Sequence, residues 1–358
     1  MSAADLRVAV IGFGLAGAAF HAPLIAAVPG LALTAVVTRD PGRRTQVAER
    51  YPDAELFEDP EAIWEHPNRF DLAVIAAPNR AHASLARAAL EAALPVVVDK
   101  PLAVNAQEAR GLVDLAQRKG LALIPFQNRR WDGDFLTVRR LLEGGELGQA
   151  LRFESRFERW RPQVSEGWRE SPEPEDAGGV LYDLGSHLVD QALQLFGPTR
   201  RVYAELDARR PEARVPDDAF VALAHDSGVH SHLWASVVAG QPGPRFRVLG
   251  DRAAFVKYGL DVQEEALRAG RLPTEPGWGQ EPPDRWGLLG VDGETRAVET
   301  EPGAYQRFYE GVVAKVRDGA PPPVAAEEAV EDLAVLDAAR VSARDGELIE
   351  LDLRSSES

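Results

Sequence analysis

The chain has 358 residues, 45% of them hydrophobic, and carries a formal net charge of −16 at pH 7. This length and apolar content predict two domains, each with its own core. The acidic excess argues against general affinity for nucleic acid or for anionic membranes. The chain has no cysteine, which excludes disulfides, thiolate metal ligands and a cysteine nucleophile.

The N-terminal segment MSAADLRVAVIG lacks the basic-then-apolar layout of a signal peptide. No stretch reaches the roughly 18 uninterrupted apolar residues of a membrane span. Both observations predict a cytoplasmic protein.

The first 126 residues alternate apolar strand-like runs with alanine-rich helical segments. Uninterrupted apolar strands separated by helices are typical of a parallel sheet that is covered on both faces. The predicted strands are 6–11, 31–38, 54–57, 70–77, 95–99 and 121–126. The clearest predicted helices, 80–93 and 106–120, have Asn79 and Asn105 as their expected N-caps.

The pattern changes after residue 126, where strand-like pieces follow one another with few helices between them. Such a run predicts a mostly antiparallel sheet. The predicted strands are 150–160, 200–209, 217–226, 229–238, 245–251 and 253–259. The predicted helices are 134–148, 178–197, 303–318 and 325–344, and the segment rich in proline, glycine and tryptophan at 271–288 is predicted to be a loop.

The segment VAVIGFGLAGAAFH places Gly12, Gly14 and Gly17 in G-x-G-x-x-G spacing between a predicted strand and a helix. In a dinucleotide site the first glycine permits a tight turn and the second lets the backbone approach a pyrophosphate. The third allows close packing of helix on strand, while the helix N-terminus offers unpaired N–H groups. Phe13 and Ala16 lie within this loop and are further cofactor-binding candidates. The alternative is a glycine-rich turn that serves packing alone.

The end of the second predicted strand, VVTRDPGRR, bears on which nicotinamide cofactor binds. An NAD site usually has an acidic residue here, which accepts the ribose hydroxyls. Thr38 and Arg39 occupy this position, with Arg43 and Arg44 close behind. A hydroxyl and guanidinium groups suit a 2′-phosphate, so NADP is the predicted cofactor. Asp40 keeps NAD as the alternative.

Two further segments, IAAPNRAH and VVVDKPL, follow predicted strands, at the edge where open α/β sheets bind their ligands. Together with the residue that follows the last predicted strand, Gln127, these two segments supply the cofactor-binding candidates. They are Ala77, Pro78, Asn79, His82, Asp99, Lys100 and Gln127. For His82, an exposed helix position without a ligand is the favoured alternative. Lysine occurs only four times in this chain, so a lysine directly after a buried strand favours a functional role over a plain strand terminus.

In chain order, GFGLAG, DKP and GGVLYDLGSH resemble the signatures of the glucose–fructose oxidoreductase and inositol dehydrogenase family (Gfo/Idh/MocA). Those signatures are the glycine fingerprint, an E-K-P motif and a G-G-x-x-x-D-x-G-x-H helix. The FHAPLI and FQNRRWDGDF segments are most similar to the branch of NADP-dependent scyllo-inositol dehydrogenases. Asp99 departs from the glutamate of E-K-P, so its role is carried over only weakly. The Lys100–Pro101 bond is a candidate cis peptide bond.

The resemblance implies an α/β plus α+β architecture. A Rossmann dinucleotide-binding domain would span 1–126, and a substrate-binding and oligomerisation domain with an open-faced, mostly antiparallel sheet would span 127–358. It also implies a cleft between the two domains, and a homodimer or homotetramer that forms through the C-terminal sheet.

Oxidation of a secondary alcohol requires a hydride acceptor and a base. His187 is the candidate acid–base catalyst, because histidine titrates near neutral pH. Asp183, one helical turn earlier, can bind the substrate hydroxyl or orient the imidazole. Lys100 would donate to the reacting oxygen, and in the family the matching positions form this Lys–Asp–His set. The alternative is a solvated polar stripe that continues through Asp190 and Gln194.

Several residues in expected cleft loops could bind a polyhydroxylated ring, although each alone could equally be structural. With Lys100, Asp183 and His187, the substrate-binding candidates are Asn128, Arg129, Trp131, Arg159 and Trp160. No metal site is predicted, since His230 and His232 alternate on a strand without an adjacent carboxylate.

The sequence thus predicts an NADP-preferring oxidoreductase that acts on a cyclic polyol or sugar. An aldose 1-dehydrogenase or sugar reductase on the same scaffold is one alternative. A non-catalytic NAD(P)-binding sensor or regulatory protein is another.

Overall fold

A computed structural model describes residues 4–351. The chain divides into two compact units, each built on one sheet. The first comprises 1–128, 263–278 and 304–330; the second comprises 129–262, 279–303 and 331–358. Within residues 4–351, no helix has the length and apolar character needed to cross a membrane.

The first unit contains a six-stranded sheet in the order β3-β2-β1-β4-β5-β6, in which all neighbouring strands run parallel. Its strands are β1 (Leu6–Ile11), β2 (Leu31–Val37), β3 (Glu55–Phe57), β4 (Leu72–Ile75), β5 (Val96–Asp99) and β6 (Leu123–Phe126). All four residues of β4 and of β6 are buried. This arrangement confirms the predicted Rossmann-like parallel sheet.

Seven of the described α-helices lie wholly within the first unit. They are α1 (Ala22–Ala27), α2 (Pro41–Arg50), α3 (Glu61–Trp64), α4 (Asn79–Glu91), α5 (Ala106–Lys119), α8 (Gln263–Arg268) and α9 (Gln306–Asp318). Asn105 caps α5 by accepting from the Glu108 N–H, as predicted. The predicted cap at Asn79 is wrong: Pro78 takes the cap position with an extended backbone, so Asn79 is already the first helical residue.

The second unit contains a nine-stranded sheet in the order β14-β13-β12-β11-β7-β10-β9-β8-β15. Its strands are β7 (Ala150–Glu158), β8 (Thr199–Asp207), β9 (Asp218–His225), β10 (His230–Ser236), β11 (Phe246–Gly250), β12 (Ala254–Lys257), β13 (Gly287–Val291), β14 (Glu294–Val298) and β15 (Ile349–Glu350). Only the β7–β10 pair is parallel. The predicted mostly antiparallel sheet is therefore confirmed.

The two faces of this sheet differ in burial. Phe153 and Phe157 of β7 and Leu233 of β10 are buried, and the helix α7 (Ser186–Phe196) packs against β7 and β10. The remaining helices are α6 (Gly133–Glu143) and α10 (Ala326–Asp345). One face of the sheet thus supports the helix that carries His187.

Some element boundaries differ from the prediction. The helix predicted at 134–148 ends at Glu143, because Gly144 and Gly145 follow and Gly145 has a positive φ of 67°. The predicted 271–288 loop ends early, since β13 begins at Gly287, and α8 was not predicted. The 178–197 helix is composite: a π-helical turn at Leu181–Gly185 precedes α7.

Candidate active site

The fingerprint glycines of the first unit have different steric surroundings. Gly12 has φ +99°, and a Cβ there would lie 2.5 Å from the Ala76 carbonyl oxygen. A Cβ on Gly17 would lie 2.2 Å from the Gly12 carbonyl oxygen. Glycine is therefore required at Gly12 for the turn between β1 and the helix, and at Gly17 for the close packing of that helix.

Gly14 is different, because a Cβ there would meet only the Arg43 Nη1 atom, at 3.9 Å. Open space beside the second glycine is what backbone approach to a pyrophosphate requires. Gly12, Gly14 and Gly17 therefore fit a dinucleotide cofactor, and Phe13 and Ala16 lie in the same loop, with Phe13 buried.

The residues after β2 form the candidate site for the adenosine ribose. Thr38 is buried, and its N–H donates to the Phe57 carbonyl. The Asp40 carboxylate accepts from the Arg43 N–H at 2.8 Å and caps α2. Arg39 is exposed and forms an ion pair with Asp59. The only acidic side chain in this stretch is thus engaged in a helix cap.

His82 connects the segments that follow β4 and β5. Its side chain is buried rather than exposed, which corrects the favoured expectation. The ring Nε2 lies 2.8 Å from the Ala77 carbonyl oxygen, and Nδ1 lies 2.7 Å from the Pro101 carbonyl oxygen. Both ring nitrogens therefore contact the backbone, so His82 positions the Pro78–Asn79 segment and the segment after Lys100.

Lys100 follows the last residue of β5, and the Lys100–Pro101 peptide bond is cis, as expected. The Asp99 carboxylate accepts from the Lys100 N–H at 2.8 Å. The Lys100 side chain lies in a partly exposed position.

A buried pair, His21 and Tyr309, was not predicted. His21 lies in the helical turn before α1, and its Nδ1 is 2.6 Å from the Tyr309 hydroxyl. Burial lowers the pKa of His21 to about 4; the Asp99 charge opposes this shift and His82 adds to it. Burial also raises the pKa of Tyr309 well above its ordinary value, and the Asp99 charge adds to that rise. Asp99 is thus close enough to both groups to influence their titration.

The second unit holds Asp183 and His187. The Asp183 side chain is 32% exposed and accepts from Arg169 Nε at 3.3 Å. His187 is buried, with its ring centroid 6.3 Å from that of Phe157. The structure therefore places a partly exposed carboxylate one turn before a buried imidazole. Arg169 had no recognisable sequence signal.

The two glycines before this helix serve close packing. A Cβ on Gly178 would lie 2.5 Å from the Ser171 carbonyl oxygen. Gly179 has φ +90°, and its Cβ would lie 2.8 Å from the Pro216 carbonyl oxygen. The pair lets the chain pass between two backbone segments just before Asp183.

Two buried arginines pack against Phe157, the aromatic ring near His187. The guanidinium carbon of Arg245 lies 4.1 Å from the Phe157 ring centroid, and that of Arg129 lies 5.2 Å from it. Arg245 also donates to Gln191 Oε1 at 2.8 Å, one turn after His187. Gln191 in turn donates to the Arg129 carbonyl at 2.9 Å. These contacts fix both the ring beside His187 and the helix that carries it.

The solvated polar stripe considered for this helix is wrong at Asp190. The Asp190 side chain is 1% exposed and accepts from Arg130 Nε at 3.0 Å through both oxygens. Gln194 is exposed. The polar side chains of α7 therefore include a buried ion pair as well as the catalytic candidate His187.

The other substrate-binding candidates lie in different environments. Asn128 and Arg129 are buried, Arg129 lies 3.7 Å from Asp132, and Trp131 is partly buried. Arg159 is partly buried at the end of β7, and the Trp160 residue is 60% exposed. In the first unit Gln127 is buried.

Comparison with known proteins identifies both parts of the chain. Residues 6–126 match the model of the oxidoreductase family NAD-binding Rossmann fold (GFO_IDH_MocA). Residues 139–351 match the model of the oxidoreductase family C-terminal alpha/beta domain.

Relatives that align with nearly the whole chain support the same family. The chain is 34% identical to scyllo-inositol 2-dehydrogenase (NADP(+)) IolW of Bacillus subtilis, over 97% of this chain and 96% of IolW. It is 40% identical to the uncharacterized oxidoreductase YdgJ of Escherichia coli, over 95% and 97% of the two chains. The solved structure of Bacillus subtilis yvaA matches with a TM-score of 0.92 at 33% identity, covering 98% of this chain and 99% of the other. The chain therefore belongs to the Gfo/Idh/MocA oxidoreductase family, whose members include NAD(P)-dependent dehydrogenases.

Proposed function

We propose that this protein is an NADP-preferring dehydrogenase that acts on a secondary alcohol, or its ketone, of a cyclic polyol or sugar. The observation that carries the proposal is the occurrence of Asp183 and His187 four residues apart in one helical segment. The Asp183 side chain is partly exposed, and that of His187 is buried. The name of the relative IolW, an NADP-dependent inositol dehydrogenase, supports this substrate class.

The cofactor, when bound, supplies hydride transfer at the substrate carbon. The chain's own residues handle the hydroxyl. Asp183 accepts a hydrogen bond from it and orients it, and a His187 ring nitrogen takes the proton during oxidation and returns it during reduction. Lys100, in the first unit, keeps the role that the family resemblance implies, which is to donate to the reacting oxygen. Phe157 and the Arg245–Gln191 contact hold the imidazole and its helix in place.

The preference for NADP is supported by the residues around Thr38. Asp40 is engaged as a helix cap, so it is poorly placed to accept the ribose hydroxyls of NAD. Arg43 Nη1 lies beside Gly14, and Arg39, four residues earlier, forms an exposed ion pair with Asp59 that a phosphate could replace. We propose that Thr38, Arg39 and Arg43 bind the 2′-phosphate, while Gly12, Phe13, Gly14, Ala16 and Gly17 hold the pyrophosphate. The proposed nicotinamide-side residues are Ala77, Pro78, Asn79, Asp99, Lys100 and Gln127, with His82 positioning the backbone of this group.

A spectrophotometric assay of the purified protein tests the proposal. The protein is mixed with NADP⁺ or NAD⁺ and a panel of inositols and aldoses, and with NADPH and inososes. We expect turnover of at least one cyclic polyol or sugar, with a higher kcat/KM for NADP⁺ than for NAD⁺. Binding of NADPH without turnover across the panel would favour the sensor function instead.

A separate variant tests the preference for NADP over NAD. Arg39→Ala should raise the KM for NADP⁺ far more than that for NAD⁺, because it removes a partner of the 2′-phosphate. Arg50→Ala, an exposed arginine at the other end of α2, is the matched control. Equal effects of Arg39→Ala on both cofactors would refute the phosphate-binding role.

A further inference from the structure

A cavity of about 390 Å³ lies in the second unit and includes Asp183 in its lining. We propose that it receives an anionic group, a carboxylate or a phosphate, that is carried by the same sugar or polyol whose hydroxyl binds Asp183. The proposal deepens the proposed function and rests on it. The lining residues that the argument uses are Trp160, Arg161, Gln163, Arg169, Glu170 and Arg210.

The cavity wall is held in place by one buried guanidinium. Arg210 donates to both Glu170 carboxylate oxygens at 2.9 Å, to Asp217 at 2.8 Å and to the Gln163 carbonyl at 3.1 Å. The Arg169 carbonyl accepts from the Gly179 N–H at 2.8 Å. The segments that carry Arg161 and Arg169 are thus preorganised, which reduces the entropy cost of binding a ligand there.

Among the described residues, the ion pairs along this wall leave one of its guanidinium groups without a carboxylate partner. Three arginines and two carboxylates line the cavity. Arg210 is shared between two carboxylates, Glu170 and Asp217, and Arg169 is paired with Asp183. The Arg161 guanidinium is exposed, and within residues 4–351 it has no carboxylate partner. Arg161 is therefore the lining guanidinium that is open to an anion, and its planar donors suit carboxylate or phosphate oxygens.

Arg169 links the anion to the reaction. It forms an ion pair with Asp183 in which both side chains are partly exposed, at 44% and 32%, and such a pair contributes little and is easily exchanged. Its guanidinium carbon lies 4.4 Å from the centre of the Trp168 ring. An anion that engages Arg169 weakens this ion pair and so favours a hydrogen bond from the substrate hydroxyl to Asp183. A neutral substrate has to displace Arg169 without offering it a new partner.

The apolar face of a bound sugar ring also has a partner in the cavity. Trp160 is 60% exposed and belongs to the lining. An indole face can pack on the C–H groups of a sugar ring, while the guanidinium groups bind its acidic substituent. Because Trp160 lines the cavity, occupancy should change its share of the fluorescence of the seven tryptophans, and Trp160→Phe identifies that share.

The test compares matched pairs of probes on the full-length protein with saturating NADP⁺. D-Glucuronate is titrated against D-glucose, and myo-inositol 1-phosphate against myo-inositol, with tryptophan fluorescence and calorimetry as readouts. A charge-assisted contact predicts that the anionic member of at least one pair binds about tenfold more tightly. Arg161→Gln and Arg169→Gln should each reduce that ratio toward one. Arg200→Gln, an exposed arginine of β8, should leave it unchanged.

Equal affinities within both pairs would overturn the proposal, as would an anion preference that survives both substitutions. Sodium acetate and inorganic phosphate are titrated alone, and binding as tight as that of the sugar derivatives would reduce the site to a general anion site. The two pairs distinguish carboxylate from phosphate. Turnover of neutral compounds with equal affinities would refute this site and leave the proposed function standing. Anion binding with no turnover of any probe or panel compound would refute the function instead.

Discussion

Asp183 and His187 differ in their surroundings although they are four residues apart. Asp183 is partly exposed and paired with Arg169. His187 is buried near Phe157, and the guanidinium groups of two arginines pack against the Phe157 ring. These surroundings fit the proposed roles, in which Asp183 contacts the substrate hydroxyl and His187 exchanges its proton.

The fingerprint glycines provide a matched pair of variants. In Gly17→Ala the new methyl group would clash with the Gly12 carbonyl, so we expect a loss of stability of about 1–3 kcal/mol. In Gly14→Ala the methyl group has room in the protein but would occupy the proposed pyrophosphate position. We expect nearly unchanged thermal stability and weakened NADPH binding, measured by thermal melts and by fluorescence titration. Unchanged NADPH affinity in Gly14→Ala would contradict the proposed cofactor position.

His21 makes stability depend on pH. Its pKa in the folded protein is about 4, against roughly 6.5 in an unfolded chain. The unfolded state therefore binds a proton first as the pH falls from 6.5 to 4, and stability is lost across that window. The shift corresponds to about 3 kcal/mol at 1.36 kcal/mol per pKa unit. His21→Gln should show a smaller loss of unfolding free energy between pH 7 and pH 4.

The control for this prediction is His66→Gln, an exposed histidine in the same unit. Urea denaturation of the three proteins at both pH values gives the comparison. If His21→Gln lost as much stability as the unmodified protein, titration of His21 would not be coupled to folding.

At the scale of elements, α7 is held by its buried polar side chains as well as by its leucines. The Arg130–Asp190 pair is almost fully buried, and removal of one partner from such a pair leaves an uncompensated charge. We expect Asp190→Asn to destabilise the protein by about 3–5 kcal/mol. The double variant Asp190→Leu with Arg130→Met should recover part of that loss, as measured by chemical denaturation.

The exposed Gln194 of the same helix supplies the control. Gln194→Ala should change the unfolding free energy by less than about 0.5 kcal/mol. A loss of similar size in Gln194→Ala and Asp190→Asn would show that the buried pair does not determine the effect.

The sequence predicts the elements best where local pattern and tertiary environment agree. The buried strands β1 and β4 and the Asn105 cap follow directly from apolar runs and cap chemistry. The alternative of a solvated stripe is wrong at Asp190, because periodicity shows which residues share a helix face but not which partner comes from elsewhere in the chain. Arg130 lies 60 positions away in sequence. Arg169 and Arg210 were missed for the same reason.

At the scale of the whole molecule, the second sheet has one face that the described helices leave partly exposed. A cross-strand row places Trp234 opposite Phe220 of β9 and Arg156 of β7. The Arg156 guanidinium carbon lies 3.8 Å from the Trp234 ring centroid, and Trp234 and Phe220 are only partly buried. We propose that a second copy of the chain covers this face in a homodimer or homotetramer.

Light scattering coupled to size exclusion tests this assembly. We expect an oligomer for the unmodified protein and a smaller species for Trp234→Glu, because a carboxylate in the middle of the row would be buried without a partner. Leu348→Glu, an exposed position outside this row, is the control. A monomeric unmodified protein would refute the proposed assembly.

The central claim is that His187 performs proton transfer in an NADP-dependent dehydrogenase. The most direct measurement follows the absorbance of reduced cofactor for the unmodified protein and for His187→Gln, with the best substrate of the panel and with NADPH affinity measured in parallel. The account predicts a loss of kcat of about 100-fold or more, loss of the associated pH dependence, and retained NADPH binding. Turnover by His187→Gln at the rate of the unmodified protein would contradict it.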